Sequence, residues 1–178
     1  MGLQSIFAPF TRLLHFLGMI SAIQALAKLP RLMNTNLILI ADDDLEDQEM
    51  LIEELAKLEE ELSIETASNG QEALSKLTRL ADMELPALIV LDYKMPYMNA
   101  AEVLEALAKE ERYAPVPKVV WSSSHRADDV RRCLQAGACY YFEKPATTAK
   151  LEEIARQMLG YRQANEFRRA DPYADAGI

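Results

Sequence analysis

The sequence predicts one α/β domain built around a five-stranded parallel sheet, and three observations predict it. Five short apolar runs, 37–41 (LILIA), 63–67 (SIETA), 87–91 (ALIVL), 118–122 (KVVWS) and 139–143 (CYYFE), alternate with longer segments of helical periodicity. The first, third and fourth runs are almost unbroken aliphatic or β-branched stretches, as strands covered by helices on both faces require. The chain has 178 residues, 50% hydrophobic and 26% charged, which suffices for one core and excludes a disordered, collagenous or disulfide-dense chain.

The segments between the runs read as helices in turn. After the first run, Leu51, Leu55, Leu58 and Leu62 recur at helical spacing, with Glu53, Glu54, Glu59 and Glu60 on the other faces. Asn69-Gly70 is a turn signal, and Gln71 to Leu80 is the second helix. Pro96 closes the loop after the third run, and Ala100 to Glu110 forms the third helix. Asp128 to Ala136 forms the fourth, ended by Gly137, and Thr147 to Leu159 the fifth, ended by Gly160. Lys144-Pro145 marks a sharp reversal that a cis bond would serve. Residues 161–178 read as a short polar tail, too short for a DNA-binding helix-turn-helix.

Charge and cysteine usage narrow the function classes. The formal net charge of −9 argues against nonspecific nucleic-acid binding. That charge is uneven: residues 1–34 hold Arg12, Lys28 and Arg31 and no acid, whereas residues 42–65 hold twelve acids against Lys57 alone. Cys133 and Cys139 have neither CxxC spacing nor a partnering histidine, so they read as thiols of a reducing, cytoplasmic compartment. His15 and His125 are equally isolated.

Ligands of an open α/β sheet bind outside the carboxyl ends of its strands, so the polar residues there are the informative ones. The first run ends in Asp42-Asp43-Asp44, the third in Asp92, the fourth in Ser122-Ser123-Ser124, and the fifth in Glu143-Lys144-Pro145. Each has an ordinary reading: Asp44 is a natural helix N-cap, a serine after a strand is a turn former, and Lys-Pro is a loop. Their coincidence at one sheet edge points to chemistry. Clustered carboxylates need a compensating cation, and Mg²⁺ suits a few carboxylates with room left for a phosphate oxygen. Asp92 is a candidate nucleophile, Lys144 a charge for a phosphoryl oxygen, and Ser122 a hydroxyl donor. Together they describe phosphoryl transfer to a carboxylate.

At these residues the chain resembles the receiver domain of two-component response regulators, over about residues 35–160. LILIADDD resembles its first strand and acidic pair, LIVLDYKMP the phosphoacceptor segment, VVWSSS the switch hydroxyl, and YYFEKP the aromatic switch and lysine positions. The resemblance implies a flavodoxin-like (βα)5 fold with strand order 2-1-3-4-5. It implies Mg²⁺ held by Asp43, Asp92 and the backbone carbonyl of Lys94, with Asp42 acting mainly through water. Asp92 would accept the phosphoryl group and Lys144 would contact it. Ser122 and Tyr141 would act as the switch, and Lys94 and Ser124 would tune phosphate lifetime. A histidine kinase or phosphotransfer protein would be the donor. A downstream protein would bind the face of the fourth helix, fifth strand and fifth helix. Such a protein is a bacterial cytoplasmic signalling module, an enzyme only toward its own aspartyl phosphate. One departure is Asn99-Ala100, where the family usually has glycine second; a positive φ at Ala100 would cost on the order of 1 kcal/mol.

Two other readings stand beside this one. Asp42 and Asp44 match the DxD pattern of haloacid-dehalogenase-like phosphatases, with Ser122 and Lys144 in order behind, although no later acidic pair completes that site and Asp92 is left unexplained. Ala100 leaves room for a pseudo-receiver that binds partners without phosphorylation. The apolar basic segment 1–34 reads as a helical extension, since 13–27 carry no charge but fall short of the ~20 residues that span a bilayer. It would pair with a second copy or dock on the receiver, lie on an anionic membrane, or serve as a signal peptide ending near Ala25-Leu26-Ala27. Otherwise it precedes a true start at Met33.

Overall fold

A computed structural model describes residues 34–170; the expectations for the extension before Asn34 and for residues 171–178 lie outside the described residues. The elements run β1 (Asn34–Ala41), α1 (Leu45–Leu58), β2 (Ser63–Ala67), α2 (Gly70–Arg79), β3 (Pro86–Leu91), α3 (Ala100–Leu107), β4 (Lys118–Ser122), α4 (Ala127–Gln135), β5 (Tyr140–Glu143) and α5 (Thr148–Ala170). Short 3₁₀ turns at Asp82–Glu84 and Glu111–Tyr113 lead into β3 and β4. All strand pairings are parallel, in the order β2-β1-β3-β4-β5. The flavodoxin-like topology is therefore present.

Strand periodicity explains how the sheet gains two cores. Side chains alternate faces along a strand, so a run apolar at every position buries both sides. Ile38 and Ile40 of β1, Leu88 and Val90 of β3, and Val119 and Trp121 of β4 face one core, closed by Leu51 and Leu55 of α1 and Leu151, Ile154 and Met158 of α5. The intervening Leu39, Ala41, Ile89, Leu91 and Val120 face the other, closed by Leu77, Val103, Leu104, Leu107 and Cys133. Residues just past the strand ends inherit this parity, and it sorts the functional side chains.

Three local expectations need correction. Gly160 does not end the last helix: α5 continues through it to Ala170. Gly160 is not held at positive φ, so the chain lacks the left-handed turn that a glycine stop uses, and Gly137 has that turn at φ 106. The continuation matters, because the buried Arg162 reaches back to the Glu59 carboxylate at the end of α1. The third helix stops at Leu107 rather than Glu110, and the chain passes into a 3₁₀ turn. No peptide bond among the described residues is cis, so the reversal at Pro145 is made with a trans bond.

Ala100 is the first residue of α3 and fully buried, with no positive φ. Asn99 caps α3 by accepting from Glu102 N–H, while the Glu102 carboxylate accepts from Asn99 N–H. Among the described non-glycine residues, only Tyr97 has positive φ, at 64°. No helix among the described residues is long and apolar enough to cross a membrane.

Glycine is instead required at the start of α2. A Cβ on Gly70 would lie 2.3 Å from the Met98 carbonyl oxygen and 2.6 Å from Val103 Cγ2, so α2 presses directly on the β3–α3 loop. Gly70→Ala is expected to destabilise the domain by about 1–3 kcal/mol by displacing that loop, read as a lower urea midpoint.

Candidate functional site

The carboxyl edge of the sheet brings four predicted residues together. Asp42 and Asp92 follow directly from β1 and β3, and the Asp92 N–H donates to the Ala41 carbonyl at 2.7 Å, locking the two strand ends side by side. Asp42, Asp43 and Asp92 each offer a carboxylate oxygen within 4.8 Å of the others, and Asp42 and Asp92 are buried. An all-oxygen set of this size suits one hard divalent cation. Lys144 closes the cluster, with Nζ 2.6 Å from Asp42 Oδ2, 2.7 Å from Asp47 Oδ2 and 3.3 Å from Asp92 Oδ1.

Electrostatics at the cluster is set by burial. Desolvation pushes the Asp42 carboxyl up to about 6, against the opposing pull of hydrogen bonds from Lys144 and the Asp44 N–H. Desolvation alone would lower Lys144. Its hydrogen bonds to Asp42 and Asp47 and the charge of Asp92 outweigh that effect and hold the ammonium above its ordinary value. Asp42 and Asp92 are buried, Asp43 is exposed and Asp47 and Lys144 are partly exposed, so the ammonium chiefly compensates the two buried carboxylates.

Ser122 and Tyr141 occupy the opposite face, as strand parity dictates. Ser122, at the end of β4, is fully buried, and its carbonyl accepts from Lys144 N–H at 2.9 Å. Tyr141 is half-buried against the core of α2, α3 and α4, hydrogen-bonded to Ser122 and donating its hydroxyl to the Ser124 carbonyl at 2.7 Å. Burial pushes the Tyr141 phenol up to about 12, so it stays a donor. Lys94 is exposed, and its N–H donates to Asp92 Oδ2 at 2.8 Å, which orients the Asp92 carboxylate. The buried Ser124 turns its hydroxyl to Asp129 Oδ2 at 2.7 Å. Asp44 is the N-cap of α1, accepting from Glu46 and Asp47 N–H.

Sequence reasoning missed four contributors. Asp47 shares Lys144 from the first turn of α1; there an acid is expected to face the helix dipole, which hid its role. Gln48 is buried and donates to the carbonyls of Asp42 and Ala67, pinning the acidic turn to β2. Tyr93 and Asp129 hydrogen-bond each other, so the residue beside Asp92 is tied to the first turn of α4. Nothing in local sequence links residues so far apart. Tyr141→Phe deletes the bond to the Ser124 carbonyl while keeping the ring, and is expected to cost about 1 kcal/mol in denaturant unfolding.

Comparison with known proteins follows the same outline. The family profile of the response regulator receiver domain matches residues 38–156. The two-component response regulator ARR17 of Arabidopsis thaliana is 29% identical over 133 residues, covering 70% of this chain and 86% of that protein. Among solved structures, the phosphorylated cyanobacterial phytochrome response regulator RcpA superposes with a TM-score of 0.66 at 24% identity, covering 72% of this chain and 94% of its own. The Mn²⁺-bound form of response regulator Rcp1 superposes at 0.61 and 23% identity, covering 68% and 90%. At these identities the two structures speak for the fold alone.

Proposed function

Since the chain belongs to the response regulator receiver family of two-component signalling, we propose that it accepts a phosphoryl group on Asp92 from a histidine kinase or phosphotransfer protein in the cytoplasm. The observation that carries this reading is the cluster itself: a buried carboxylate at the end of β3, oriented by Lys94 N–H and faced by Lys144, Asp42 and Asp43. The Asp92 oxygen not held by Lys94 attacks phosphorus; a P–O bond forms as the bond to the donor nitrogen breaks, and the electron pair leaves with the donor. Lys144 supplies positive charge to the phosphoryl oxygens. Asp42, Asp43, Asp92 and the Lys94 carbonyl are the proposed holders of Mg²⁺, which would neutralise charge developing on those oxygens.

The conformational consequence travels through β4 and β5. Ser122 turns its hydroxyl toward the new phosphoryl oxygens, and the Tyr141 ring and its bond to Ser124 hold the β4–α4 loop against the core. The face of α4, β5 and α5 would be what a downstream protein reads. The phosphatase reading is not favoured, because Asp44, the second acid of its DxD pattern, is committed to capping α1. A phosphorylation-independent pseudo-receiver is not favoured either, since Ala100 introduces no positive φ and the acidic cluster and Lys144 are in place.

With Mg²⁺ and acetyl phosphate, intact mass spectrometry is expected to show one phosphoryl adduct that Asp92→Asn abolishes. No adduct, or one surviving that substitution, would overturn the assignment. Mg²⁺ affinity should also depend on pH. With the Asp42 carboxyl raised to about 6, the metal-free site takes up a proton as pH falls through that value, and the cation must displace it. Affinity is expected to be full above neutrality and about tenfold weaker at pH 5 than at pH 7, read by calorimetry.

A further inference from the structure

Lys144 has three carboxylate partners, and they are not equivalent. Asp42 and Asp92 belong to the trio close enough to share one cation, whereas Asp47 does not. Asp47 comes from a different part of the chain, the first turn of α1, and its side chain is 25% exposed against 2% and 6% for Asp42 and Asp92. Lys144 Nζ also lies 5.0 Å from the centre of the Trp121 ring, on the same α1–α5 side of the sheet. The ammonium thus sits between the acceptor cluster and an anchoring wall made by Asp47 and Trp121.

A cation entering the trio has the same sign as Lys144 and competes for the same oxygens. At separations of a few ångströms in a buried site, that repulsion is large unless the ammonium keeps a counter-charge of its own. Expelling Lys144 to solvent would remove the group that faces the phosphoryl oxygens. A carboxylate outside the trio, 2.7 Å from Nζ, meets the need.

We propose that Asp47 is a positioning residue that anchors Lys144 on the α1 side, so that a divalent cation and a phosphoryl group can occupy Asp42 and Asp92 without ejecting the ammonium. This rests on the reading of the cluster as a phosphoacceptor site. It assigns Asp47 a role through Lys144, distinct from the general favour that any acid enjoys in the first turn of a helix. Glu46, in that same first turn and outside the ion pairs of Lys144 with Asp42, Asp47 and Asp92, is the control for the general effect.

The test is a double-mutant cycle read as Mg²⁺ dissociation constant, by calorimetry and by Trp121 emission. Asp47→Asn is expected to weaken Mg²⁺ binding about tenfold, and Glu46→Gln about twofold or less. Asp47→Glu, which keeps the charge on a longer stem, should recover most of the affinity. In a Lys144→Met background, the effect of Asp47→Asn should shrink to that of Glu46→Gln, because the ammonium to be anchored is gone. Far-UV dichroism checks that each variant is folded. Equal losses for Asp47→Asn and Glu46→Gln, or an undiminished Asp47→Asn effect without Lys144, would overturn the role of Asp47 while the phosphoacceptor reading stands. Absence of any Mg²⁺ binding by the unaltered chain would overturn both.

Discussion

One ammonium among carboxylates organises this protein. Lys144 draws together the end of β1 through Asp42, the first turn of α1 through Asp47 and the end of β3 through Asp92. Its own backbone N–H returns to the Ser122 carbonyl at the end of β4. Without that positive charge, buried Asp42 and Asp92 would face each other uncompensated in a low-dielectric setting. The backbone arrangement serves the same purpose: the N-cap at Asp44 and the two Gln48 hydrogen bonds hold the acidic turn against the sheet. The site is thus a constraint on how β1, β3, β4 and β5 end.

Strand parity turns that constraint into a division of labour. Even-numbered residues of β1 and β3 face α1 and α5, and Asp42, Asp92 and Lys144 lie on that side with Trp121. Ser122 and Tyr141 belong to the opposite face, where β4 and β5 meet α4 and where Ser124 and Asp129 link the loop to the helix. Charge is gathered on one side of the sheet edge and a hydrogen-bonded aromatic on the other, with Asp92 and Ser122 at the boundary. Asp92 and Ser122 thus border both groups, which is the physical requirement for a local modification to be read at a remote face.

Most of this architecture was legible because it depends on local pattern. Continuous apolar runs marked β1, β3 and β4, and polar residues at their carboxyl ends marked the edge where ligands bind. What escaped reading depends on tertiary context. Gly160 looked like a helix stop, but helix-compatible residues follow and Arg162 gains a buried ion pair with Glu59, so the helix runs on. Asp47 was hidden among the twelve acids of residues 42–65, because only the fold brings Lys144 to it. Glycine's role was sought at Ala100, whereas the close backbone approach that demands it is at Gly70, against Met98. In each case a residue's type announced its local preference, and a contact distant in sequence decided its use.

The proposed function requires that charge placed at Asp92 reach α4 through Ser122 and Tyr141 while Lys144 remains anchored beside α1. Amide nuclear magnetic resonance on the full chain, with Mg²⁺ and then with beryllofluoride as a phosphoryl mimic, tests it most directly. The predicted result is a second set of shifts on adding beryllofluoride, centred on Asp92, Ser122, Ser124, Tyr141 and the first turn of α4, with the α1 amides beyond Asp47 nearly unmoved. Shifts confined to the acidic turn after β1, with α4 and Tyr141 unaffected, would contradict it.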